Sequence, residues 1–542
     1  MKKIICFVLG ATVAVAAGAQ TWQDALLFSE NNYSGTARSV GMGNAVTALG
    51  GDPGSLTFNP AGSAVASYSQ FEITPGLTFS LANVGAADQM PYMADKRNTF
   101  YGGVKMPNLG FIFNLDTGRR SGLKRMSFGF VVNATNNFTG RFNASGVNDD
   151  NSYAASLASS ADGFASNVLS NEDWYYSGDP TRMPAWVDMT GYRAGMFNGV
   201  AGRDGAYVAL TEIIDSEGNF RLAAPVYQEY GQQTRGSKHD ILLNYALNFS
   251  DKFYIGANLG VTALHYSLSE YWRETPDNPA EFPVIEYSDG TTARFESLRM
   301  KRNYRLDGNG VYFKLGFLWR PVAGLRIGAA VQTPTMLNLR ERYGYSGEVT
   351  LSGRYGGSAS SPEDDWIYAL RTPFRANLGL AYSIGNVAVV SADYEFVNYA
   401  SSAFRSRTSE YGYSIGSFSE VNQDIKDLLA ASHQLRLGTE VKVAPGIALR
   451  AGYNLITNGE RNITLLKHNL SLGAGFSFGS FFLDAALRAR FVPADYVIPY
   501  NYYYAPNPNQ FYDKVVDDSI LTPEVVIKNT MFDALVTVGW RF

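Results

Sequence analysis

The sequence predicts an all-β protein, a transmembrane antiparallel β-barrel of about 14 strands with an amino-terminal hatch in its lumen. Three observations carry this. Charged residues make up only 17% of the 542 residues, against about 25% in ordinary soluble domains. The chain instead holds 34 Tyr, 33 Phe and 54 Gly, which also sets it apart from disordered chains, poor in aromatics. Many segments alternate with a period of two, and short and long connections follow one another in turn. Read by length alone, at about 150 residues per domain, the chain would be three or four soluble domains; the composition argues against that.

Residues 1–19 have the form of a secretory signal peptide: Lys2 and Lys3, an apolar run from Ile4 to Ala17, and a small-x-small site Ala17-Gly18-Ala19. Cleavage near Ala19 would leave Gln20 as the mature amino terminus. The one cysteine, Cys6, lies inside this peptide, so the exported chain has no disulfide or thiolate site. No later stretch is long and apolar enough for a spanning helix.

Segment 469–478 places Leu470, Leu472, Ala474, Phe476 and Phe478 on one face and Asn469, Ser471, Gly473, Gly475 and Ser477 on the other. Segments 432–443 and 447–455 alternate in the same way. A soluble β-sandwich alternates too, but here the polar face is often Gly, Ser, Asn or a lone charge, which suits a crowded lumen. The apolar face carries aromatics near strand ends, as at a bilayer interface. The predicted strands are 68–80, 99–114, 125–138, 237–249, 252–272, 308–320, 323–345, 366–383, 386–400, 432–444, 447–457, 467–478, 480–493 and 529–542. Tight turns such as Ser250-Asp251, Pro445-Gly446 and Gly479 alternate with long connections at 139–236, 273–307, 401–431 and 494–528. Short periplasmic turns opposite long outer loops mark an outer-membrane barrel. The last strand sets Phe532, Val536, Val538, Trp540 and Phe542 on one face. Ending on an aromatic, it resembles the strand read by the outer-membrane assembly machinery.

Residues 20–66 differ: they are glycine-rich, with few aromatics and no sustained alternation. Asp52-Pro53-Gly54 and Asn59-Pro60-Ala61 carry turn or helix-start chemistry. Gly41-Met42-Gly43 lacks the third glycine and the strand–helix setting of a dinucleotide loop. The stretch ARSVGMGNAVTALGGDPGSLTFNPAGSA closely resembles the hatch of the outer-membrane long-chain fatty acid transporter (FadL) family, with Asn59-Pro60-Ala61 on that family's Asn-Pro-Ala motif. RTPFRANLGLAYSIGNVAVVSADYEFVNY and HQLRLGTEVKVAPGIALRAGY look like its barrel strands. The resemblance implies a 14-stranded barrel (67–542) plugged by a hatch (20–66). It further implies capture of a hydrophobic ligand at the outer loops, transfer to the lumen, and sideways release through hatch movement and a kinked strand. The long extracellular loop 139–236 departs from the family pattern.

The expected hatch residues are Gly41, Gly43, Gly50, Gly51, Asp52, Asn59, Pro60 and Ala61. Lys314, Arg375, Arg436 and Arg450 fall on the polar parity of their strands and are candidates for a ligand carboxylate; each is also the kind of cation that a barrel lumen uses in structural ion pairs. Trp174 and Trp186, in the aromatic run of loop 139–236, are candidates for a greasy landing surface or for loop self-packing. Asn133, Asn136 and Asn137 are weak strand formers and candidates for a kink. The four histidines show no metal spacing, no nucleophile constellation stands out, and no cofactor is implied; the chain reads as no enzyme. A net charge of −4 gives no basic surface for nucleic acid. The expected function is passive uptake of hydrophobic compounds such as long-chain fatty acids across the Gram-negative outer membrane, with outer-membrane lipid around the wall. The alternatives are a scaffold barrel of a protein secretion system and a receptor for haem or aromatic compounds, with His433 as a conceivable haem ligand.

Overall fold

The computed structural model describes residues 20–87, 90–172, 183–407, 417–507 and 514–542. Eighteen strand segments form the wall: β1 (Gln70–Ala86), β2 (Arg97–Asp116), β3 (Leu123–Asn137), β4 (Gly140–Asn148), β5 (Val226–Phe249), β6 (Phe253–Pro276), β7 (Phe295–Trp319), β8 (Leu325–Gln332), β9 (Met336–Leu351), β10 (Asp364–Arg371), β11 (Arg375–Ile384), β12 (Ala388–Asn398), β13 (Ala403–Ser406), β14 (Ala431–Ala444), β15 (Ile447–Thr457), β16 (Leu466–Phe478), β17 (Phe481–Phe491) and β18 (Val525–Arg541). The pairs β3/β4, β8/β9, β10/β11 and β12/β13 each continue one wall strand past an interruption, which makes fourteen. Every pairing is antiparallel, and β18 pairs with β1 to close the barrel. Closure of β18 on β1 removes the free edges that the first and last strands would otherwise expose to lipid.

Two interruptions centre on Pro334 and Pro373, which lack a ladder N–H. Threonine side chains repair the ladder there: Thr333 Oγ1 accepts from Phe313 N at 3.0 Å, and Thr372 Oγ1 accepts from Thr335 N at 3.0 Å.

The pleat sorts the side chains. On β1, Phe71, Leu77 and Leu81 face out while Gln70, Glu72, Thr78 and Ser80 are buried inside. The same apolar belt continues around the wall through Leu470, Leu472 and Phe476 of β16. On β7 the polarity inverts along one strand. From Val311 to Trp319 the outward residues are apolar; Arg299, Lys301 and Arg305 then face outward while Leu298, Met300, Tyr304 and Leu306 are buried inward. β6 and β7 have 24 and 25 residues, against roughly 9–11 needed to cross hydrocarbon. Their far halves stand in water as a wing, polar outside and apolar within. This corrects the expected strand starts: 308 becomes Phe295, and 237 becomes Val226. A search for lipid-type alternation stops where the polarity turns over.

The wing and the outer loops enclose an apolar cap. Helices α3 (Tyr153–Ala161) and α4 (Trp186–Ala194) bury Leu157, Trp186 and Met189 against Leu298 and Leu306 of the wall, and the same core takes in Phe28 of the amino-terminal segment. Of the expected landing-surface residues, Trp186 is only 3% exposed, and Trp174 lies outside the described residues.

Leu472, 66% exposed in the middle of the outward face of β16, tests the membrane assignment. Leu472→Arg is expected to destabilise the barrel by about 2–4 kcal/mol in lipid, measured by denaturant titration of folding into vesicles. Arg305→Leu on the wing should show no penalty of that size.

Candidate functional site: the stoppered lumen and its wall opening

The segment from Gln20 to Ala66 lies inside the barrel as two helices, α1 (Trp22–Ser29) and α2 (Ala37–Gly41), followed by 3-10 turns at Pro53–Thr57 and Pro60–Val65. Thr21 and Asp24 form a capping box on α1. The two turns repeat one design: an Asx cap, then proline at the first helical position. Asp52 Oδ1 accepts from Gly54 N at 2.6 Å and Asn59 Oδ1 from Ala61 N at 3.1 Å. Asp52 also accepts from Thr36 Oγ1 at 2.8 Å, which ties the first turn to α2. Asn59 reaches further. Its Nδ2 donates to Thr47 O at 2.8 Å and to Phe317 O of β7 at 3.0 Å, so one buried amide joins two parts of the segment to the wall.

Wall glycines make room for this backbone. A Cβ on Gly316 would stand 2.1 Å from Asn59 Oδ1, and one on Gly256 2.5 Å from the Pro60 carbonyl carbon. Gly110 is as close to Pro53, Gly328 to Thr47, Gly438 to Met42, and Gly452 to Gly43. Gly41 meets the bare backbone of Gly473, and Gly50 meets Gly62 within the segment; Gly43, Gly50 and Gly51 all have positive φ, which glycine takes without steric cost. Gly51 N also donates to Gly62 O at 2.8 Å.

Wall cations hold the segment by its carbonyl oxygens. Lys238 Nζ donates to Phe28 O at 2.8 Å and Glu30 O at 2.6 Å; Arg375 to Ser29 O at 2.5 Å; Arg488 to Tyr33 O at 2.6 Å; Arg326 to Leu49 O at 2.7 Å; Lys314 to Thr57 O at 2.5 Å. The expected carboxylate-binding cations are thus already engaged. Arg375 pairs with Glu395 at 2.9 Å, and Arg436 pairs with the other oxygen of the same carboxylate. The Arg436 guanidinium also lies 4.7 Å from the centre of the Phe58 ring, a cation–π contact. Arg450 binds Glu440 at 2.7 Å and Asp484 at 2.6 Å, and Glu440 takes Arg38 of α2 as well. Glu395 and Glu440, at the centre of these clusters, and Asp533, which binds Lys105, Arg488 and Arg490, were not among the site residues expected from the sequence. Their signal is there: each sits on the inward parity of its strand. His433 faces outward, its Nδ1 2.6 Å from Tyr394 Oη, so it is no luminal haem ligand.

The wall opens beside the plug. β2 pairs with β1 from Arg97 onward, but its ladder with β3 runs only from Asn108↔Asn133 to Asp116↔Arg125. β3 shifts register between Ala134 and Asn136, and β4 pairs with β5 alone. Residues 97–107 therefore have no ladder on that side among the described residues. Their rim carries Phe100, Val104 and Met106, exposed by 64%, 84% and 47%. β4 leans inward, with Phe142 and Ala144 buried among Ala82 and Val84 of β1. The asparagines mark the break. Asn133 accepts from Asn108 Nδ2 at 2.5 Å and donates to Thr57 Oγ1 of the plug. Asn136 donates to Glu30 O at 3.4 Å, and its Oδ1 takes Asn137 N at 2.9 Å; Asn137 Oδ1 takes Thr139 N at 3.0 Å. These local bonds compete with the ladder.

Asn59→Ala is expected to cost about 1–3 kcal/mol through the stranded carbonyls and to raise single-channel conductance in planar bilayers, with heat-modifiable barrel mobility retained. In the cap, burial pushes the Asp188 carboxyl up to about 6 and that of Glu212 up to about 7. Both values lie above the unfolded ones, so this stabilisation is complete below the unfolded pKa values and is lost as pH rises through 6 to 7. Amide exchange in α3 and α4, corrected for intrinsic rates, should quicken between about pH 5 and about pH 8, and Asp188→Asn should flatten that dependence.

No protein-family model matches this sequence, and no curated protein does. Among solved structures, the toluene transporter TodX of P. putida aligns over 94% of this chain and 98% of its own, with 15% identity and a TM-score of 0.50. A FadL homologue of Pseudomonas aeruginosa aligns over 94% and 98%, with 12% identity and a TM-score of 0.49. The toluene transporter TbuX of Ralstonia pickettii aligns over 94% and 99%, with 14% identity and a TM-score of 0.46. What this chain shares with TodX across nearly its whole length is the fold.

Proposed function

We propose that this protein is an outer-membrane transporter that takes up hydrophobic small molecules passively, with residues 20–66 as the hatch. The observation that carries the reading is the unladdered gap between β2 and β3/β4, rimmed by apolar side chains and bonded through Asn133 to the plug. An apolar molecule that reached the lumen would leave sideways, driven by about 25 cal/mol for each Å² of apolar surface removed from water. Export by a signal peptide cleaved near Ala19, and insertion through the terminal strand ending at Phe542, complete the reading. The shared fold with a toluene transporter supports a neutral hydrocarbon as cargo. The engagement of Lys314, Arg375, Arg436 and Arg450 by protein partners supports it further. A long-chain fatty acid would have to compete with Glu395 for Arg375 and Arg436.

Thr135 is the extra residue at the register shift of β3. Its deletion should remove the bulge against β5 and so redirect β3 and β4 beside β2. Uptake of labelled toluene into cells or proteoliposomes is expected to fall several-fold, while the barrel still assembles and shifts on heating. Unchanged uptake in an assembled deletion variant would rule out the sideways route.

A further inference from the structure

The outward face of the wing presents cations where neutral packing would serve. Arg305 of β7 lies directly opposite Arg342 of β9, and Arg299 of β7 directly opposite Arg273 of β6. Like charges facing across a ladder destabilise it. Local carboxylates answer part of this: Arg342 binds Asp307 at 2.9 Å, Arg273 binds Glu229 at 3.0 Å, and Arg299 lies opposite Glu348 of β9 and 5.1 Å from the Tyr271 ring centre, which leaves Arg305 and Lys301 without a counter-charge among the described residues. Arg305 and Lys301 are exposed and have no protein partner among the described residues. A groove of about 400 Å³ runs beside Tyr271, Arg273 and Arg299, with Glu229 and Glu348 also on its lining.

The height of this face names its occupant. Val311, 56% exposed, is the last apolar outward residue of β7 before Asn309 and Asp307. Arg305 follows six residues beyond it, roughly 15 Å up a tilted strand. A phospholipid headgroup layer is only about 5–8 Å deep. An anion held here must stand taller above the hydrocarbon, as phosphates on a sugar headgroup do. Arginine suits that contact, since its planar fork takes phosphate oxygens in pairs.

We infer that the outward face of β6, β7 and β9 binds a phosphorylated glycolipid of the outer leaflet, with Arg305, Arg342 and Lys301 on its phosphates and the Tyr271–Arg273–Arg299 groove against its sugars. The inference needs the long-strand end of the barrel to face outward, and it is independent of what the lumen carries.

Native mass spectrometry of the full-length protein in detergent tests it, with bisphosphorylated lipid A, its dephosphorylated form and phosphatidylglycerol as probes. Lipid A should bind at least about tenfold more tightly than the other two. The Lys301→Ser/Arg305→Ser variant should lose about that factor, with Arg305→Lys retaining most of it. Asp307→Asn, which frees Arg342 and His265 from their carboxylate, should tighten binding; this keeps the inference testable if the double variant assembles poorly. Equal binding of phosphatidylglycerol, displacement by millimolar inorganic phosphate, or no effect of either substitution would overturn it.

Discussion

The plug is held by its main chain. Wall lysines and arginines grip it by carbonyl oxygens: Phe28, Ser29, Tyr33, Leu49 and Thr57 accept from them. The rest of the architecture follows. Between these grips the two backbones run close, and the wall is stripped to glycine at Gly110, Gly256, Gly316, Gly438 and Gly452. Buried cations need counter-charges, so Glu395 sits between Arg375 and Arg436, and Asp533 among Lys105, Arg488 and Arg490. The plug itself carries few charges, and two of them, Arg38 and Glu30, pair with Glu440 and Lys467 of the wall.

Much of this was legible in the amino-acid sequence, and the misses share one cause. All fourteen wall strands were readable, because lipid imposes apolar-out alternation that no turn disguises. The far halves of β5 and β7 were not, because beyond the bilayer the same strand hides its apolar side and shows its polar one. Arg299, Lys301 and Arg305 read as loop to an eye set for lipid. At the lumen, parity placed Arg375, Arg436 and Lys314 inside, but it could not say that they would meet carbonyls and Glu395. Partners hundreds of residues apart in the chain leave no local pattern. The Asx-Pro turns were visible because capping is local chemistry; the second grip of Asn59, on Phe317 O, belongs to the folded barrel.

Plug and wall opening share residues. Asn133 ends the β2–β3 ladder and binds Thr57, the last residue of the first 3-10 turn. Lys314 holds the carbonyl of that same Thr57. Asn136, at the register shift, reaches Glu30 O, which Lys238 also takes. A movement of the turn or of the end of α1 therefore breaks bonds at the break in the wall as well as in the lumen. The coupling is short, through single hydrogen bonds, and needs no rearrangement of the closed strands.

Ala37 N donates to Thr537 Oγ1 of β18 at 2.7 Å, and Arg488 grips both Tyr33 O and Asp533 of β18. Residues 33–37 thus find their seat among residues of β17 and β18, 455 to 500 positions further along the chain. That seat is complete only where β18 lies against β1, so the closing seam of the wall is also part of the berth of the plug.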